Sequence, residues 1–127
     1  MMPLPKLRLL LRVIGWLTAL TGAVQLVMPG LVLGPLKADI TLASSHFFSI
    51  VGMFMILFGG QLAQATMLSD QVARAPLAWC GLQKLGASAA VGVGVLRAVF
   101  SPLALVVALF DLVSGALIFF YRGRLRG

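Results

Sequence analysis

The segment ALFDLVSGALIFFY, residues 108–121, places one carboxylate, Asp111, in a run otherwise suited to hydrocarbon. A charge near the centre of a bilayer costs at least about 2.5–3.5 kcal/mol, so such a group needs a partner, a wet cavity or a function. Two cations are candidates. In a hairpin turning near Ser101, Asp111 is level with about Ala90. Arg97 then lies about seven residues nearer the turn and Lys84 about six residues farther from it, each roughly 10 Å away along the axis. Either side chain could approach when extended, and the pairing stays open between them. The other readings of Asp111 are a structural hydrogen bond to Ser88, Thr18 or a neighbouring carbonyl, and a proton or ligand site.

Other polar side chains sit within apolar runs. Gln83 adjoins Lys84, Gln25 lies near the end of the first run, and His46 opens the second. One histidine is too few for an ordinary internal metal site, and neither Cys nor Glu stands near it. We therefore expect no metal, and treat His46 as a hydrogen-bonding residue near a boundary. A haem held by His46 with Met53 or Met55 is the weaker alternative. MFMILF supplies Met and Phe at helical spacing, which is a packing pattern first and a surface for a flat lipophilic ligand second. GVGVL lacks the preceding strand and third glycine of a dinucleotide fingerprint. The single cysteine, Cys80, excludes an internal disulfide or a Cys-x-x-Cys pair and reads as a small packing residue. No catalytic set emerges, and no cofactor is expected.

The elements that must position these groups follow from composition. The chain has 127 residues, is 61% hydrophobic, carries 10 Lys and Arg against 3 acidic residues and has no Glu; its mean hydropathy is +1.07. A soluble surface needs roughly a quarter or more charged residues, so the composition predicts an integral membrane protein. The net charge of +7 does not point to nucleic acid, because the basic residues stand at the ends of apolar runs. A membrane helix needs about 20 apolar residues, and four stretches qualify: about 7–28, about 42–67, about 76–100 starting at Pro76, and about 102–121 starting at Pro102. The N-terminal run lacks a clear Ala-x-Ala cleavage site and is read as a retained helix. GLVLGPLKADIT is too short and broken to cross and is placed at the interface; LSDQVARA is read as a polar loop.

Orientation follows from the basic residues. With the N-terminus inside, Lys6, Arg8, Arg12, Arg74, Arg122, Arg124 and Arg126 are cytoplasmic, Lys84 snorkels inward, and only Lys37 and Arg97 fall outside. The expected architecture is all-α, a single domain of four transmembrane helices with both termini in the cytoplasm. Trp79 and Tyr121 suit the inner interface.

Helices in lipid associate through small residues and a few hydrogen bonds, so small and polar stripes predict the buried faces. These are Gly15, Thr18, Gly22 and Gln25 on the first helix, and His46, Ser49, Gly60 and Gln64 on the second. On the third they are Gly86, Ala90, Gly94 and Ala98, with Gln83 and Arg97 nearby. On the fourth they are Ala104, Ala108, Asp111, Ser114 and Gly115.

The segments LRVIGWLTALTGAVQLVMP, HFFSIVGMFMILFGG and LQKLGASAAVGVGVLRAVFSPLALVVALFDLVSG together resemble small bacterial four-helix membrane proteins of the DoxX-like kind. The resemblance implies a multi-pass protein of the bacterial cytoplasmic (inner) membrane. For DoxX proper it implies a membrane subunit in quinone-linked sulfur oxidation. Small multidrug transporters also have four short helices but rely on a Glu in the first, which this chain lacks. The expected function is a non-enzymatic accessory or assembly subunit of a larger membrane complex, with lipid and other membrane subunits or further copies of the chain as partners. The alternatives are an oligomeric proton-linked transporter or channel using Asp111, and a quinone-linked redox subunit.

Overall fold

The computed structural model describes residues 2–127. Among them the secondary structure is all helical: α1 (Leu4–Val27), α2 (Gly30–Leu33), α3 (Leu42–Ala65), α4 (Asp70–Leu96) and α5 (Ala104–Arg124). α1, α3 and α5 are each long and apolar enough to cross a membrane. α4 is longer, at 27 residues, or about 40 Å. It is less apolar because Gln83 and Lys84 interrupt its middle.

α1 packs chiefly on α3, and α4 chiefly on α5. The start of α1, the end of α3, the start of α4 and the end of α5 share one end of the molecule, and basic side chains tie them together. Arg12 Nε donates to Thr66 Oγ1 at 3.0 Å, at the C-terminus of α3. Arg8 Nε donates to Tyr121 Oη at 2.9 Å, and its guanidinium lies 3.8 Å from Asp70. Arg122 Nε donates to the Arg74 carbonyl at 2.8 Å, and Arg124 donates to the Met2 carbonyl at 2.7 Å. Arg74 in turn donates to the Arg122 and Leu125 carbonyls at 3.3 and 3.4 Å, at the C-terminus of α5, where a helix runs short of intrahelical partners for its carbonyls. Tyr121, expected as an interfacial anchor, is instead fully buried in this end of the core with Leu7, Leu11, Leu62, Leu77 and Ile118.

The far end is built differently. Thr41 and Ser44 form a capping box that starts α3, with Ser44 N donating to Thr41 Oγ1 at 3.0 Å and Thr41 N to Ser44 Oγ at 2.9 Å. The stretch around α2 buries Leu33 and Leu36, and the Ser101 amide donates to the Leu36 carbonyl at 2.7 Å. This ties the α1–α3 connection to the α4–α5 connection.

The largest boundary differences from the sequence expectation are at the two ends of α4. α4 begins at Asp70, so most of LSDQVARA is helical and Pro76 lies inside the helix. An acidic residue in the first turn favours a helix start there. α4 also ends at Leu96, short of the expected 100. Ala98 takes the left-handed conformation (φ 59°), with Val99 N bonded to the Gly94 carbonyl at 2.8 Å and Ala98 N to the Val95 carbonyl at 3.0 Å. That is a Schellman ending made without glycine.

The buried faces are correct for α1 and α5 and need correction for α3 and α4. On α1, Gly15, Thr18, Gly22 and Gln25 are all buried. On α5, Ala104, Ala108, Asp111, Ser114 and Gly115 are buried. On α3 the buried positions are Gly52, Gly59, Leu62, Ala63 and Ala65, whereas His46 and Gln64 are exposed. The physical reason is backbone proximity. A Cβ on Gly22 would stand 2.6 Å from the Gly52 carbonyl oxygen, and one on Gly59 would stand 2.6 Å from the Ala19 nitrogen. Two glycines on each helix, seven residues apart, let α1 and α3 meet main chain to main chain. On α4, Gly94 is buried against Phe100, but Gly86 has open space beyond it, and Ala90 and Ala98 are exposed. Gly81, Lys84 and Leu77 face inward instead.

Candidate functional site

Asp111 meets Lys84. Lys84 Nζ donates to Asp111 Oδ1 at 3.0 Å and to Thr18 Oγ1 at 2.8 Å. It also lies 5.1 Å from the centroid of the Phe110 ring. The pair therefore joins α4 to α5 and, through Thr18, both to α1. Lys84 is 4% exposed, so it does not snorkel toward the basic end as expected. Its charge is met by a carboxylate, a hydroxyl and an aromatic face, each of which offsets part of the desolvation cost.

Register explains why Lys84, and not Arg97, is the partner. A Cβ on Gly115 would meet the Leu85 side chain at 2.7 Å and the Gly81 carbonyl at 3.3 Å, so Gly115 lies across from Gly81 and Leu85. Asp111 is one turn farther along, level with about residues 85–88, not with Ala90 as a tight hairpin at Ser101 requires. The connection is not tight: α4 stops at Leu96, Ala98 reverses the chain and Phe100 folds back over Gly94. Arg97 is left exposed at the far end.

Beside the pair is a cavity of about 190 Å³ that reaches from Thr18, Lys84 and Asp111 to Val32 and Leu36 near the far end. Gln25 and Gln83, singled out from sequence, both line it, as does Thr21. Gln25 is 4% exposed, and its Nε2 donates to the Phe48 carbonyl at 3.1 Å. The apolar wall includes Phe48, Met55, Val91 and Phe100. Toward the basic end the bundle is filled by Leu11, Ile14, Leu62, Leu77 and Ile118. The cavity thus joins a neutral ion pair and two amides to an apolar wall, and it can receive a small guest with one polar edge.

His46 is exposed and does not line this cavity. Among the described residues no group of three His, Cys, Asp or Glu side chains could hold a metal. Cys80 is buried, with Sγ 3.7 Å from the Phe58 carbonyl. Sequence reading missed Phe48 and Phe100 as cavity walls. An aromatic in an apolar run carries no local mark of which face it takes, and Phe100 reaches the wall only because the chain reverses at Ala98.

No protein-family model matches the chain, and no curated protein or solved structure is significantly similar to it.

Proposed function

We propose that the chain is a four-span protein of the bacterial cytoplasmic membrane, with both termini in the cytoplasm, that serves as a non-enzymatic assembly subunit. It docks a helix of another membrane protein, or of a second copy, on the outward face of α4. The observation that carries this reading is a contrast between two outward faces. On α5 that face is bulky: Leu105, Val106, Leu109, Leu112 and Val113 are all exposed, as a surface against lipid tails should be. On α4 it includes Gly86, Ala89 and Ala90 among Leu82 and Val93, and no atom of the other described helices lies within 4 Å of where a Cβ on Gly86 would stand. Glycine costs a helix roughly 1 kcal/mol relative to alanine and gains nothing against lipid. Against another helix it permits close approach, the device α1 and α3 already use.

Treating α4 as the remaining span rests on its length and on the pairing of its one mid-helix charge. The orientation rests on the basic residues gathered at the end that holds both termini. The tie between Lys84 and Asp111 favours a structural role for the carboxylate over a proton-linked transporter. The DoxX-like resemblance supports the multi-pass assignment.

The test is cross-linking in native membranes. With Cys80→Ala as background, single cysteines replacing Gly86 or Ala90 should cross-link to a neighbouring chain, and one replacing Leu109 should not. Equal yields at all three positions would remove the docking face. A tag at Lys37 should be reachable from outside the cell and a reporter after Arg126 should read cytoplasmic; the reverse pattern would invert the orientation.

A further inference from the structure

We infer that the cavity beside Lys84 and Asp111 is an intramembrane binding site for a small neutral lipophile carrying a hydroxyl donor, an alcohol or phenol of single-ring size. The site is separate from the outward face of α4, so it stands or falls independently of the assembly reading.

Three observations define the guest. The first is charge. Lys84 and Asp111 neutralise each other at 3.0 Å, so a charged guest would leave a net charge buried, at a cost only a further counter-ion could offset. The second is hydrogen-bond polarity. The ammonium already serves Asp111 and Thr18 and faces the Phe110 ring. Among the described residues no hydrogen bond ends on Asp111 Oδ2 or Gln25 Oε1, yet neither atom is sealed away without a partner. Both residues line the cavity. Gln83, which also lines it, adds an amide with a donor and an acceptor, so a hydroxyl guest can donate to the unfilled carboxylate or Gln25 oxygen and accept from the Gln83 amide. The third is size. The volume is about 190 Å³, and an apolar cavity of about 150 Å³ suffices for one benzene ring. Phe48, Phe100 and Met55 supply aromatic and polarizable walls for such a ring.

The experiment uses the purified full-length chain in lipid nanodiscs and fluorine NMR of four probes: 4-fluorophenol, fluorobenzene, 4-fluorobenzoate and 4-fluorobenzylammonium. 4-Fluorophenol should give a saturable bound signal with an affinity at least about tenfold above fluorobenzene, and the two ions should give none. Ala87→Leu, which fills the cavity from α4, should abolish the signal. Gln25→Met, which keeps the volume and removes one acceptor, should weaken 4-fluorophenol about tenfold and leave fluorobenzene unchanged. Equal binding of fluorobenzene, tighter binding of either ion, or a signal that persists in Ala87→Leu would overturn the assignment. Should Ala87→Leu fail to fold, the Gln25→Met comparison decides alone: unchanged 4-fluorophenol affinity overturns the site.

Discussion

Between α1 and α3 the contact is backbone against backbone; between α4 and α5 it is side chain against side chain. Both interfaces contain glycines, but the atoms facing those glycines differ. At Gly22 and Gly59 an added Cβ would meet main-chain atoms of the other helix at 2.6 Å, whereas at Gly81 it would meet the Phe119 ring and at Gly115 the Leu85 side chain first, with the Gly81 carbonyl farther off at 3.3 Å. A main chain in a helix cannot step aside without moving the helix. A ring or a leucine can change rotamer. The first interface is therefore rigid and held by shape, and the second is adaptable and held by one buried charge pair. The cavity lies where these two kinds of packing meet, because helices that touch through long side chains leave gaps that helices in backbone contact do not.

The largest effect should come from breaking the charge pair on one side only. Lys84→Met or Asp111→Asn leaves a buried charge without its counterpart and should cost about 3–5 kcal/mol, read as loss of folded protein in a denaturant titration in micelles. Replacing both, as Lys84→Met with Asp111→Leu, should recover most of that loss. A double variant as unstable as either single one would show that the pair does more than satisfy itself.

Next are the seam glycines. Gly59→Ala or Gly22→Ala should cost about 2–3 kcal/mol, the upper range for overpacking. Gly81→Ala and Gly115→Ala should cost about 1 kcal/mol, because their neighbours can shift. Gly60, one residue from the seam with open space beyond it, should accept alanine with a small gain, about 0.5–1 kcal/mol, from helix propensity. Equal losses at Gly59 and Gly81, measured by thermal unfolding in one detergent, would erase the distinction between the interfaces.

The smallest effect concerns the connection that sets the α4–α5 register. Ala98 holds a left-handed conformation that costs a non-glycine residue roughly 1–2 kcal/mol. Ala98→Gly should therefore raise stability by about 0.5–1 kcal/mol, less than the full strain because glycine loses more freedom on folding. A loss of stability there would mean that the alanine methyl makes a contact outweighing the strain.

Much of this molecule follows from sequence alone. Hydrocarbon makes local demands: a run of sufficient length, few charges within it, and basic residues at its ends. Each can be read without knowing what packs where. The inward faces of α1 and α5 were legible for the same reason, since Thr18, Gln25, Asp111 and Ser114 are polar and small residues share their stripes. On α3 the polar residues misled, because His46 and Gln64 lie near the helix ends where polar groups can face outward. The informative signal was the seven-residue spacing shared by Gly15 and Gly22 with Gly52 and Gly59. On α4 the four-residue stripe of Gly86 and Ala90 was real but turned away from the rest of the chain. Tertiary structure alone decided which cation meets Asp111. That choice depends on the register of α4 against α5, and a left-handed Ala98 and a folded-back Phe100 shift it by about a turn relative to a tight hairpin. Axial register and the direction of a helix face are relations between segments, and no single segment encodes them.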